Sequence, residues 1–297
     1  MAVNPAQELA ALYRGVALQV ANLAREYEAR RWMGSAAVTT RQLHSIEQAV
    51  RKLDAGLAAW IRRNITELYL GTIPEALSDL QQAGARITTP GFTGHDRRAM
   101  RALEERYSRE LGSIRDAIGV GLVTGDRRQA RQHIERALDQ EGRLSMSPDG
   151  RLSVVTPAGM HWRPDVYAEM LGRTAMASTR RVAFRERYLQ NGVDVVRIVP
   201  NGTVHDVCLR WEGRLLSLTG ATPGLPTYDQ ARADGMFHPN CAQRYVMATG
   251  VEQPEVLPRG ALVLPPTPPL PTLGVNARTA GMRPNLPPFP NVPTPRG

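Results

Sequence analysis

The chain has 297 residues, of which 42% are hydrophobic and 5% aromatic, and it carries a formal net charge of +9 at pH 7. This length accommodates one large domain or two of ordinary size, with a core built mainly from aliphatic side chains. No apolar run reaches the roughly 20 residues of a membrane-spanning helix, and the first nine residues lack the basic start and apolar stretch of a signal peptide, so we expect a protein that folds in a cytosol without a membrane segment.

The first half of the sequence predicts amphipathic helices, because apolar residues recur there at three- and four-residue spacing. The predicted segments are 6–31, 39–70, 74–83, 95–122 and 126–141. Thr39 and Gln42 have the spacing of a capping box, and Gly71 and Pro74 are expected to end the second helix. We interpret the apolar stripes as internal core, with one stripe left for a partner subunit as the alternative.

The second half predicts a mixture of strands and helices. Its expected elements are a β-hairpin over 152–155 and 160–162, a helix over 164–190, strands over 193–199 and 214–218, and a short helix over 228–233. Pro164 suits the first turn of a helix because its missing N–H is not needed there. Thr227 suits the cap of the short helix.

These elements predict an α+β protein with three regions. A predominantly helical region covers 1–142, and a small mixed α/β domain covers 143–250. Thirteen of the 23 prolines fall in residues 251–297, which predicts an extended or disordered Pro-rich tail.

Both cysteines of the chain follow a histidine at the same spacing. His205 precedes Cys208 and His238 precedes Cys241, with 29 residues between the two pairs. Two short pairs of imidazole and thiolate ligands joined by a loop are typical of a tetrahedral zinc site. We therefore predict one structural zinc ion bound by these four residues. Two alternatives remain open: a disulfide, which a reducing cytosol disfavours, and two buried free thiols with ordinarily hydrogen-bonded histidines.

Three arginines of the predicted 164–190 helix are spaced seven residues apart: Arg173, Arg180 and Arg187. A stripe of this kind is commonly a solvated or ion-paired face. The functional interpretation is a surface that binds nucleic-acid phosphates or an acidic partner.

Five short motifs occur in order in the second half of the chain. They are Tyr167-x-x-Met170-Leu171-x-Arg173-Thr174, Gly192-Val193-Asp194-Val195-Val196-Arg197, Asp206-Val207-Cys208-x-x-Trp211-Glu212-Gly213, Ser217-Leu218-Thr219-Gly220 and His238-Pro239-Asn240-Cys241. In this order they resemble the minor capsid (head morphogenesis) proteins of tailed bacteriophages, in particular the minor capsid protein 2 group related to the Mu F type. The resemblance covers about residues 160–250.

The resemblance implies a structural virion protein rather than an enzyme. It would act in head (procapsid) assembly at or near the portal vertex or inside the head, after synthesis in the host cytoplasm. The expected partners are the portal protein, the major capsid or scaffolding protein, and phage DNA. The chain departs from many relatives at His205, where they have cysteine, and at Gln243, where they have cysteine or histidine.

Other functions fit the same residues. One is a zinc-stabilised protein that binds nucleic acid without sequence preference. Another is a zinc-dependent hydrolase, with Glu212 or Asp206 as general base beside a metal-bound water. A third is a cysteine nucleophile paired with histidine.

Overall fold

The computed structural model describes residues 4–34, 38–117, 132, 154–155, 160–201 and 205–254. Its helices are α1 (Pro5–Trp32), α2 (Thr40–Ile61), α3 (Leu68–Gln82), α4 (Gly94–Ala117), α5 (Pro164–Gln190), α6 (Asp206–Trp211) and α7 (Tyr228–Ala233). Its strands are β1 (Val154–Val155), β2 (His161–Trp162), β3 (Val195–Val199), β4 (Leu215–Ser217) and β5 (Arg244–Met247). The predicted α+β class is confirmed. The helix predicted over 126–141 and the tail from residue 255 onward lie outside the described residues.

Capping boxes are present at two helix starts, the one predicted at Thr39 and one at Thr227, where the sequence predicted a cap. Thr39 Oγ1 accepts a hydrogen bond from Gln42 N at 3.3 Å, and Gln42 Oε1 accepts one from Thr39 N at 3.0 Å. Thr227 and Gln230 make the same pair of bonds before α7. Each box satisfies backbone donors that the first turn of a helix leaves unpaired.

One boundary prediction is wrong, because Gly71 and Pro74 do not end a helix. The chain runs from α2 through a π-helical stretch, Arg62–Glu67, into α3, which contains both residues. An interior proline costs about 3 kcal/mol of helix stability. The helix continues because Ala76 and Leu80, beyond the proline, are fully buried in the core, so packing outweighs the local preference.

Helix α5 packs against α1, α3 and α4. The contact with α1 is close: a Cβ placed on Gly172 would lie 3.1 Å from the Cα of Ala6. One hydrophobic core joins α1, α2, α4 and the first part of α5, and a second joins the ends of α3 and α5 to a three-stranded sheet. The apolar stripes of α1, α2 and α4 are thus internal core, as interpreted. A domain boundary at residue 143 stays a prediction.

The sheet is antiparallel, with β3 between β4 and β5, while β1 pairs with β2 in a separate hairpin. Asp194, directly before β3, is fully buried. It accepts hydrogen bonds from Ser217 Oγ at 2.6 Å, Thr219 N at 2.8 Å and Thr222 Oγ1 at 2.7 Å. Burial opposes its ionisation, but these hydrogen bonds outweigh burial and lower the pKa of Asp194. The Asp194 and Ser217–Gly220 motifs therefore form one structural unit.

The side chain of Arg187 is buried in the protein interior. The prediction that Arg187 contacts nucleic acid or an acidic partner at the surface is therefore wrong. Its guanidinium pairs with Asp96 in the first turn of α4, and both side chains are 0% exposed. It also donates to the carbonyl oxygen of Gly91 at 2.7 Å. Arg180 and Arg187 lie on the same side of the helix, but they differ in exposure. The segment that precedes α4 packs over the end of α5 that carries Arg187 and leaves Arg180 exposed. No helix in the described segments is long and apolar enough to cross a membrane.

Candidate metal centre

The first histidine–cysteine pair is placed by α6. His205 stands in the N-cap position, and its carbonyl oxygen accepts the first helical hydrogen bond, from Leu209 N at 3.0 Å. Cys208 and Trp211 are three residues apart and share the buried side of this short helix. The Cys208 thiol consequently points into the protein, while His205 lies at the surface.

The second pair is placed by a tight turn over His238–Cys241. The N–H of Cys241 donates to the carbonyl oxygen of His238 at 2.9 Å. Pro239 occupies the second position, and Asn240 occupies the third with a φ of 64°. Proline followed by a residue of positive φ defines a type II turn. The turn brings the side chains of its first and last residues to one side of the loop.

The two pairs meet beside α5. Cys208 Sγ lies 3.2 Å from His238 Nε2 and 3.7 Å from Cys241 Sγ, and the rings of His205 and His238 are 4.3 Å apart. Ligand atoms of His205, Cys208 and His238 all lie within 4.8 Å of one another. Cys241 lies outside this compact group and adjoins it through Cys208. The structure therefore brings together all four residues predicted from the sequence.

The distance between the two sulfur atoms argues against a disulfide between Cys208 and Cys241. Both thiols are free and buried, and 3.7 Å is far longer than a disulfide bond of about 2.05 Å. Two sulfurs bound to one tetrahedral zinc at about 2.3 Å each stand roughly 3.8 Å apart. The observed spacing fits a shared metal ion, and it fits equally a hydrogen bond between two free thiols, so the metal site stays a prediction.

His238 is oriented as a metal ligand. Its Nδ1 lies 2.7 Å from the carbonyl oxygen of Pro239, which places the ring proton on Nδ1 and leaves the Nε2 lone pair directed at Cys208. Burial lowers the pKa of His238, and the adjacent His205 adds to this effect. Both influences favour the neutral imidazole, which is the form that binds metals.

Burial, followed by the neighbouring Cys241, raises the pKa of Cys208 to about 12. A cysteine nucleophile needs a lowered pKa, so this environment is unsuited to that alternative. A bound divalent cation would instead deprotonate the thiol, because the positive charge stabilises the thiolate. Two thiolates and two imidazoles make a donor set that fits zinc, and a site that used all four would be closed, as structural zinc sites are.

Helix α5 holds the type II turn in place. Arg173 Nε donates to Asn240 Oδ1 at 2.8 Å, and Asn240 N donates to Thr174 Oγ1 at 3.1 Å. These contacts explain why the Arg173-Thr174 and His238–Cys241 motifs occur together. Arg173 also pairs with Glu169 at 2.5 Å, so its charge is offset within the chain.

The sequence prediction missed Arg181, which lies behind the cluster. Its guanidinium donates to the carbonyl oxygens of Cys241 at 3.1 Å and Gln243 at 3.4 Å, and it stacks over the Phe237 ring at 5.0 Å. The side chain is 6% exposed. No pattern in the sequence separates it from its neighbours Arg180 and Arg185, because its role depends on contacts some 60 residues away.

Gln243, two residues after Cys241, is buried, and its side-chain amide bonds to other parts of the fold. Its Nε2 donates to Asn201 Oδ1 at 3.0 Å and to Glu212 Oε1 at 2.7 Å. Glu212 also accepts from Asn201 N at 3.1 Å. The carboxylate proposed as a general base is therefore engaged in connecting two segments of the fold.

Comparison with known proteins agrees with these motifs. A family model described as phage minor capsid protein 2 matches residues 61–257, about two thirds of the chain. The match begins well before the range of about 160–250 over which the motifs were recognised, and it includes α3 and α4 as well as the whole His/Cys cluster. Searches of curated proteins and of solved structures give no match.

Proposed function

Because the chain belongs to the phage minor capsid protein 2 family, we propose that it acts in head assembly at or near the portal vertex of a tailed bacteriophage. The family gives it a structural role in the capsid. The observation that carries the proposal is the extent of the match, which spans α3, α4, α5 and the His/Cys cluster. The proposed partners are the portal protein and the major capsid or scaffolding protein, and the proposed location is the virion, after assembly in the host cytoplasm.

We further propose that His205, Cys208, His238 and Cys241 hold one structural zinc ion. When bound, the ion supplies a cross-link between α6 and the turn, and it stabilises the two thiolates. The chain itself orients the ligands: Pro239 sets the His238 ring, and α5 supports the turn. Such a cross-link would stabilise the folded domain, because metal binding contributes its free energy to folding.

Arg173 and Arg180 remain the proposed contacts for an acidic partner or for phage DNA. Their side chains are 45% and 50% exposed. Each pairs with a carboxylate of the chain, Glu169 or Glu75, so partner binding would have to exchange one ion pair for another. That exchange yields specificity more than affinity.

A sequence-independent nucleic-acid-binding protein is the second candidate function, and the net charge of +9 favours it. The zinc-dependent hydrolase is supported less well, because Glu212 already accepts two hydrogen bonds from the fold. Salt-dependent binding of the purified chain to DNA of any sequence, without association with head proteins, would favour the second candidate.

Complementation of a gene deletion tests the assembly role. Phage lacking the gene is expected to form no mature heads, and a plasmid copy of the wild-type gene is expected to restore them. His238→Ala should fail to restore heads, because it removes a proposed ligand. His95→Ala is the matched control, since His95 is an exposed histidine on α4 and is not one of the four candidate ligands. Normal heads in the deletion strain would contradict the assembly role.

A further inference from the structure

A cavity lies beside the His238–Cys241 turn and is lined in part by His238 and Pro239. It has a volume of about 200 Å³ and is lined by residues of α4, α5, α7 and the loop that follows α7. One arginine from each helix lines it: Arg106 from α4, Arg181 from α5 and Arg232 from α7. Arginine side chains from three separate helices therefore line one partly open space.

The charge of Arg181 has no counter-ion among the described residues. Its side-chain acceptors are two backbone carbonyl oxygens and Ser178 Oγ, all uncharged. A guanidinium carries five N–H donors, so these three acceptors leave donating capacity. Burying a charge without an opposite charge is costly, and Arg181 is 6% exposed. An anion in the cavity would remove this cost.

The other two arginines do not supply the missing negative charge. Arg106 pairs with Glu110 at 2.8 Å, and both are buried, so this pair is neutral overall. Arg232 stands 3.5 Å from Asp229, whose side chain is 55% exposed. A solvated carboxylate at that distance offsets a charge only weakly. The cavity thus retains a surplus of positive charge.

The size and donors of the cavity indicate the kind of anion. At about 200 Å³, it is smaller than the roughly 300–1,000 Å³ of most small-molecule sites, so a single group fits better than a nucleotide. Guanidinium groups bind the oxygens of phosphate with paired N–H donors. Ser178 Oγ, on the wall between Arg181 and the cavity, adds a hydroxyl.

We propose that Arg106, Arg181 and Arg232 form a pocket for one phosphate group. The group would come either from free inorganic phosphate or from a DNA backbone that passes the opening. A tetrahedral zinc with two thiolates is neutral, so metal binding at the adjacent cluster would not supply the missing charge. The pocket is independent of the proposed assembly role, and either proposal can fail without the other.

Thermal unfolding of the intact chain tests the pocket. Sodium phosphate at about ten times its dissociation constant should raise the Tm by about 3 °C over sodium chloride of equal ionic strength. Arg232→Gln should weaken phosphate binding about tenfold and reduce this difference to about 1 °C. Arg101→Gln, at an exposed position on α4, is the matched control and should keep it. General stabilisation by phosphate salts affects all three proteins alike.

An equal rise in the wild type and Arg232→Gln would overturn the proposal. Titration calorimetry with inorganic phosphate on Arg181→Gln gives a second, independent measure, and wild-type affinity in this variant would also overturn it. A labelled DNA duplex then identifies the source. If Arg232→Gln weakens DNA binding and Arg101→Gln does not, the pocket takes a DNA phosphate. If both variants bind DNA like the wild type while the phosphate effect holds, the ligand is free phosphate.

Discussion

Cys208→Ser is expected to abolish zinc binding and to lower the free energy of unfolding by about 4 kcal/mol or more. The serine hydroxyl is a poor zinc ligand at neutral pH, and only three candidate ligands remain. Metal binding contributes its free energy directly to folding when no site exists in the unfolded chain. The loss should be concentrated in α6 and the His238–Cys241 turn, because the four candidate ligands lie in these two segments.

Denaturant unfolding with and without a chelator measures this effect. The chelator should destabilise the wild type to the level of Cys208→Ser and should leave the variant unchanged. His95→Ala, which keeps all four candidate ligands, should respond to the chelator like the wild type. A Cys208→Ser protein with one bound zinc and a wild-type denaturation midpoint would exclude Cys208 as a ligand.

Arg187→Met is expected to cost about 3–5 kcal/mol of stability, because it leaves Asp96 as a buried charge without a partner. Asp96 is 0% exposed and would retain hydrogen bonds from uncharged donors alone, those of Thr93, Tyr69 and, at 3.5 Å, Gln190. Arg180→Met, seven residues earlier on the same helix, removes an exposed ion pair with Glu75. It should cost less than about 1 kcal/mol.

Chemical denaturation of both variants checks this prediction. The double variant Arg187→Met/Asp96→Asn should regain part of the loss, since it removes the unpaired charge. Equal destabilisation by Arg187→Met and Arg180→Met would mean that burial of the pair has no energetic consequence, and it would restore Arg187 as a candidate for surface contact.

Local signals in the sequence predicted much of the fold. The capping boxes at Thr39 and Thr227 and the proline at the start of α5 depend on residues within one helical turn. The prediction that Pro74 ends a helix is wrong, because local signals do not include contacts made elsewhere in the fold. The favourable contacts that keep α3 intact there are made with α5 and with the sheet, and they cannot be read from the local sequence.

The candidate site follows the same division. Spacing alone identified the four residues of the His/Cys cluster, because each pair is formed within a single turn of chain. The supporting contacts of Arg173 and Arg181 join positions more than 50 residues apart. The spacing of Arg187 predicts a surface stripe for the same reason. Its ion-pair partner Asp96 lies 91 residues away in the sequence, so the local pattern does not reveal the pair.

The most direct test of a structural role in the head is to measure how much of this protein purified heads contain. Mass spectrometry of heads purified from the encoding phage should find the chain at a constant, low ratio to the major capsid protein. It should remain bound after washing at high salt, which removes weak electrostatic contacts. A chain that is abundant in the infected-cell lysate but absent from washed heads would contradict this role and would leave the nucleic-acid-binding candidate as the better explanation.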